Sequence, residues 1–151
     1  MTDGLSIQPN ERILLLSIPE LDVLRSISAQ LDHGGVFCLG GREEVYAARK
    51  EASQLNNVLF HPGPPEEIPF DDECFTLVID FKCVWESPSQ VAREIVRVLS
   101  SVGRAALAVE DPGLFIAAGL AAREPAPPLL VFEKPEGRRP APPPLTPPIA
   151  G

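Results

Sequence analysis

Asp80 closes the apolar run FTLVIDF and is followed at once by Lys82, Trp85 and Glu86. A carboxylate gathered with an ammonium and an indole at the end of one strand-like segment makes Asp80 the candidate catalytic group, while Trp85 reads equally well as a core residue covering a sheet edge. His33 and His61 are the only histidines, so imidazole acid–base chemistry would have to use one of them. His61 stands beside a proline turn and is read as a loop residue. Cys38, Cys74 and Cys83 form no CxxC pair and have no metal-ligand spacing. Without an evident base partner, Cys83 reads as a small buried side chain rather than a nucleophile. Gly34–Gly35 and Gly40–Gly41 fit neither the dinucleotide-binding nor the P-loop glycine spacing. Ser17 and Glu20 stand in the S-x-x-E pattern of a capping box, which would start a helix.

These residues sit in an alternation of short β-rich runs and helical periods. The predicted strands are Arg12–Ile18, Gly35–Gly40, Asn57–His61, Phe75–Phe81, Gly103–Val109 and a last one near Leu129–Lys134. Between them, Leu21, Leu24, Ile27 and Leu31 repeat at helical spacing, as do Val45, Ala48, Ala52 and Leu55. A third helix starts at Ser87, where S-P-S-Q supplies an N-cap serine, a proline at the first helical position and a capping-box Gln90; Val91, Ile95, Val98 and Leu99 form its buried side. An Ala-rich helix is expected from about Gly113 to Arg123. Strand–helix–strand repeats with right-handed crossovers imply an α/β fold with a doubly wound, Rossmann-like parallel sheet in one domain. The expected strand order is 3-2-1-4-5 with the last strand beside strand five, and Leu14, Leu16, Phe37, Val78, Ile79, Val98 and Leu107 should be buried. Ligands of such sheets bind outside the carboxyl ends of the strands, so the turns after the first four strands are where a site belongs.

The chain has 151 residues and a net charge of −8, enough for one core. Residues 1–122 hold 18 of the 21 acidic and 9 of the 13 basic residues. A field of that sign repels a phosphate backbone and an anionic membrane surface, which argues against nucleic acid and membrane as partners. The three unpaired cysteines and an amino terminus without a signal-peptide pattern point to the cytoplasm. The longest apolar run, Leu114–Ala122, is far below the roughly 20 residues of a membrane span. Ten of the 18 prolines lie between Pro125 and the end, so residues 1–124 are read as the folded body and 125–151 as the last strand and a proline-rich tail. The tail is expected either to extend loosely or to lie across a second subunit or partner.

Two segments, EEIPFDDECFTLVIDFKCVWE and SPSQVAREIVRVLSSVGRAAL, follow the order lPf, acids, FDlV, then a helix reading REi.RVLkpGG. On these residues, Phe60 to Ala108 resembles class I S-adenosylmethionine-dependent methyltransferases of the ubiquinone/menaquinone-biosynthesis type. The resemblance implies cofactor contacts at Ser17 after strand one, at Gly40 and Gly41 after strand two, and at Glu43 or Glu44 for the ribose hydroxyls. Glu66, beyond strand three, is a further candidate contact. The chain departs from the pattern in several places. The turn SIPELD has no glycine and contains Pro19, while Glu20 and Asp22 would repel a ligand carboxylate. The adenine-side aspartate falls at about Pro64, the FDlV aspartate is Thr76, and the proline-glycine-glycine is Ser101, Val102 and Gly103. The expectation is therefore a methyltransferase-like domain without a bound cofactor, acting as a binding or regulatory subunit, with a homo-oligomer or partner protein covering its open surface. The alternative is an active S-adenosylmethionine-dependent methyltransferase with an atypical cofactor pocket.

Overall fold

The computed structural model describes residues 5–134. Its sheet has seven strands in the order β3-β2-β1-β4-β5-β7-β6. The strands are β1 (Arg12–Leu15), β2 (Gly35–Gly40), β3 (Val58–Pro62), β4 (Phe75–Asp80), β5 (Leu99–Leu107), β6 (Ala121–Ala122) and β7 (Leu130–Glu133). The first five run parallel, with Leu14 of β1 opposite Phe37 of β2 and Val78 of β4. β7 returns antiparallel against β5, and β6 pairs antiparallel with β7 at the edge. The expected order 3-2-1-4-5 with the last strand beside the fifth is therefore present. β4 reads apolar on both faces because it lies at the centre with a helical layer on each side: Leu77 and Ile79 point into one core, Val78 into the other.

Helices α1 (Leu21–Ala29) and α2 (Arg42–Glu51) bury Leu24, Ile27, Val45 and Ala48 on the first face. Helices α3 (Pro88–Val98) and α4 (Gly113–Ala117) bury Val91, Ile95, Val98 and Phe115 on the second. The residues expected in the core are buried, except Phe37, which is partly exposed and packs edge-on against Phe70 and Phe75. No described helix is long and apolar enough to cross a membrane.

Local expectations needed correcting at several element ends. β1 stops at Leu15 rather than Ile18, and α1 takes Glu20 as its N-cap with no side-chain cap bond, so the Ser17–Glu20 capping box does not form. Ser87 does precede α3 with Pro88 in its first turn, but Gln90 accepts a hydrogen bond from Arg93 instead of closing a box. The Ala-rich helix is one short turn-and-a-half, ended by Gly119 at φ 112°, after which the chain enters β6. β7 places residues 130–133 in the same sheet as the body. The proline-rich segment from residue 135 onward, with its proposed docking, lies outside the described residues.

The segment 66–72 is held onto α3 by a polar clamp. Glu94 accepts the Ile68 N–H at 2.8 Å, and Arg97 donates to the Ile68 and Phe70 carbonyls at 2.7 and 2.8 Å while pairing with Asp72 and Glu94. Glu94 is held below the ordinary range by the Arg97 hydrogen bond, and Arg97 is raised by the same contacts. This clamp is the physical content of the spacing between IPFDD and REIVRVL.

Candidate functional site

A cavity of about 750 Å³ opens at the carboxyl ends of β1, β2 and β4, where parallel sheets bind ligands. Its volume suits a small-molecule ligand. Ser17, Gly40, Gly41, Glu44, Asp80 and Trp85 are among its lining residues.

Asp80 organises the floor. It is only 2% exposed, so its carboxylate needs donors, and it has three. Oδ1 accepts from the Ser17 hydroxyl at 2.8 Å and the Lys82 N–H at 3.0 Å; Oδ2 accepts from the Trp85 indole at 2.8 Å. The two oxygens thus tie the end of β1 to the 81–85 loop. Cys83 sits in that loop at φ 53°, a left-handed conformation costly for a residue with a Cβ, with its thiol donating to the Asp80 carbonyl. Burial and the Asp80 charge push the Cys83 thiol up to about 12, and burial does the same for Cys38. Both stay protonated at neutral pH. Cys83 is partly rather than fully buried.

The β2 corner is open because it carries no side chains. A Cβ on Gly40 would fall 2.8 Å from Ile18 Cδ1, so the bare glycine lets the two turns meet. Glu44 accepts the Gly41 N–H at 2.9 Å through Oε1, capping α2 from within the cavity wall. Glu43, in the same first turn, is exposed and is not among the residues lining the cavity. Glu66 is occupied elsewhere: its Oε2 accepts the Glu86 and Ser87 N–H groups at 2.8 and 3.0 Å, satisfying donors that α3 leaves open at its start. Pro62, Pro64 and Pro65 form a rigid wall on the β3 side. His61 is exposed at the end of β3 and packs edge-on against Phe70.

Three of the departures from the family pattern, Thr76, Ser101 and Val102, lie at the other end of the sheet. Thr76 is the second residue of β4, about 13 Å from Asp80 at ~3.3 Å per residue. There it donates to Glu11, which is buried and paired with Arg104 at 2.7 Å. Ser101 and Val102 lie in the amino-terminal half of β5, away from its carboxyl end at Leu107. None of these replacements bears on the cavity, because strand direction places all three away from it. Sequence reasoning missed the Ser17–Asp80–Trp85 network, whose partners are 63 and 5 residues apart. Its only sequence signal was an aspartate ending an apolar strand.

Five parallel strands with helices on both faces, an antiparallel edge and a ligand-sized cavity at the strand ends define a Rossmann-like domain of methyltransferase topology. The chain belongs to the methyltransferase domain family, whose model matches residues 25–107. The YrhH protein of Bacillus subtilis (strain 168) is 33% identical over 116 residues, covering 73% of this chain; the chain spans 63% of that protein's length. A SAM-dependent methyltransferase from Aquifex aeolicus has the same fold with a TM-score of 0.72 at 14% identity, over 86% of this chain and 84% of the other. A chain in the complex of the Haloferax volcanii Trm112 methyltransferase activator aligns with a TM-score of 0.70 at 22% identity, over 78% and 65%.

These findings overturn the expectation that no cofactor is bound. Membership of a methyltransferase family points instead to S-adenosylmethionine. Of the motif departures, Thr76, Ser101 and Val102 do not touch the cavity.

Proposed function

We propose that the cavity holds S-adenosylmethionine in an atypical pocket and that the domain serves methyl transfer. The observation that carries this reading is the open space at the ends of β1, β2 and β4, with a glycine corner and a carboxylate on its wall. The residues present suit the ligand's parts. Glu44 uses Oε1 on Gly41, and its carboxylate is the group able to accept from ribose hydroxyls. Ser17, Gly40 and Gly41 form the surface beneath, and the prolines at 62, 64 and 65 offer an apolar wall for a flat base. Glu43 is left outside the contact set because it does not line the cavity, and Glu66 because its carboxylate holds the Glu86 and Ser87 N–H groups.

When bound, the cofactor supplies an electrophilic methyl group on a sulfonium. This chain's residues orient and enclose. Asp80 is a positioning residue, since its three acceptor bonds set where Ser17, Lys82 and Trp85 stand. Trp85, packed edge-on against Phe115, shields one side of the cavity from water.

A second reading concerns partners. Val84 lines the cavity at 85% exposure, and Leu114 and Ile116 flank Phe115 on the neighbouring helix, also exposed. Apolar side chains at a cavity mouth favour a covering surface, supplied by a partner protein or a second copy.

Trp85 is the only tryptophan, so its fluorescence reports the cavity. Titration with S-adenosylhomocysteine should give a saturable change, weakened about tenfold in Glu44→Gln, roughly the worth of one charge-assisted bond. A saturable signal unaffected by Glu44→Gln would remove the ribose assignment, and no signal at millimolar ligand would remove the cofactor reading.

A further inference from the structure

Eleven lysines and arginines fall in the described residues, and nine of them are engaged. Arg97 pairs with Glu94 and Asp72, Arg104 with the buried Glu11, Arg25 with the exposed Asp22 and Arg123 with the partly buried Glu133. Arg12, Arg49 and Lys134 bind backbone carbonyls, Arg93 binds Gln90, and Lys50 lies over the Tyr46 ring. Among the described residues, Arg42 and Lys82 alone have no side-chain hydrogen bond, ion pair or aromatic contact. Both line the same cavity. The two carboxylates of the same lining have partners, Glu44 on the Gly41 N–H and Asp80 on Ser17, the Lys82 N–H and Trp85, so the two cations are the charged side chains of this cavity without a contact.

Their placement is set by the fold. Arg42 opens α2 directly after β2, and Lys82 follows β4 by two residues. β1 lies between β2 and β4, so the strand ends from which the two residues follow stand about 10 Å apart, two strand spacings of ~4.8 Å. Long side chains from both walls can meet a group held over Ser17. The Lys82 backbone is pinned by its N–H bond to Asp80 and by the left-handed turn at Cys83. On the opposite wall, the amino end of α2 adds a partial positive charge.

We infer that Arg42 and Lys82 form an anion-binding subsite for a carboxylate of the ligand set, an inference that rests on the cavity's reading as an S-adenosyl site. The carboxylate has two possible sources, the amino-acid end of the cofactor and an acidic methyl acceptor. Each would be held by charge-assisted hydrogen bonds.

Calorimetry on the full chain separates them, with S-adenosylhomocysteine, 5′-methylthioadenosine, which lacks the aminocarboxylate, and benzoate as probes. If the cofactor supplies the anion, wild type prefers S-adenosylhomocysteine over methylthioadenosine by tenfold or more, and Arg42→Gln/Lys82→Gln abolishes the preference. If the acceptor supplies it, the two nucleosides bind alike and benzoate binds the S-adenosylhomocysteine-saturated protein, at least tenfold more weakly in Lys82→Gln. Either result supports the subsite. Benzoate binding that depends on Lys82, with no nucleoside binding, keeps the subsite and removes the cofactor reading. Absence of any effect of the double substitution on all three probes overturns the subsite. Both side chains are exposed, and unchanged circular dichroism confirms that the variants fold.

Discussion

Replacing Asp80 by Asn tests whether the floor of the cavity is built by one carboxylate. Both oxygens of Asp80 are acceptors, facing the Ser17 hydroxyl, the Lys82 N–H and the Trp85 indole N–H. Asn offers one acceptor and one donor of nearly the same shape. Keeping its oxygen toward Ser17 and Lys82 sets an NH2 against the indole N–H, and the flipped orientation strands the Lys82 N–H while Ser17 must turn its hydroxyl. At least one buried donor loses its partner, and the remaining bonds lose the charge. With hydrogen bonds to a charged group worth about 1.5–3 kcal/mol, Asp80→Asn should cost about 2–4 kcal/mol. Ser17→Ala removes one bond and leaves two donors on the carboxylate, so it should cost about 1 kcal/mol. Urea unfolding followed by circular dichroism gives both numbers, and Trp85 emission should shift in Asp80→Asn only. A loss below about 0.5 kcal/mol with unchanged emission would refute the reasoning, because Asp80 itself is only 2% exposed and its acceptor bonds are then not what holds the floor.

Three further outcomes follow from the same contacts. Glu94 is held below its ordinary value near 4.5 by Arg97, so its contribution is full at neutral pH and declines as pH falls through the folded-state value; Glu94→Gln should flatten the stability profile below pH ~4.5, read by urea midpoints. A Cβ on Gly34 would lie 2.1 Å from the Glu11 carbonyl oxygen, so Gly34→Ala should destabilise by more than about 2 kcal/mol, seen as a lowered melting temperature. Cys38 and Cys83, pushed up to about 12, should react with iodoacetamide at pH 7.5 far more slowly than a free thiol, and a fast phase assigned to either by peptide mapping would contradict their protonated state.

The sheet was largely legible because its strands are continuous apolar runs, and a two-sided run such as Phe75–Asp80 has few places to go other than the middle of a parallel sheet. Element ends were less legible, since Ser17 and Gln90 carry local capping patterns that other partners take over: Asp80, 63 residues away, takes the serine, and Arg93, one turn on in α3, takes the glutamine. The cavity lies at the turns after the strands, where a parallel sheet puts it, but the partners of individual side chains there were not legible. Thr76 looked like a missing cofactor ligand until strand direction placed it beside Glu11, and Glu66 looked available until its carboxylate met the start of α3. Such pairings join residues 20 to 65 positions apart, and neither composition nor periodicity encodes them.

The central claim is that the space at the ends of β1, β2 and β4 holds an S-adenosyl cofactor. Isothermal titration of S-adenosylmethionine into the full chain addresses it directly. The account predicts one site per chain with a dissociation constant in the micromolar range, about 8 kcal/mol of binding free energy. Absence of saturable heat with ligand at 1 mM would contradict it.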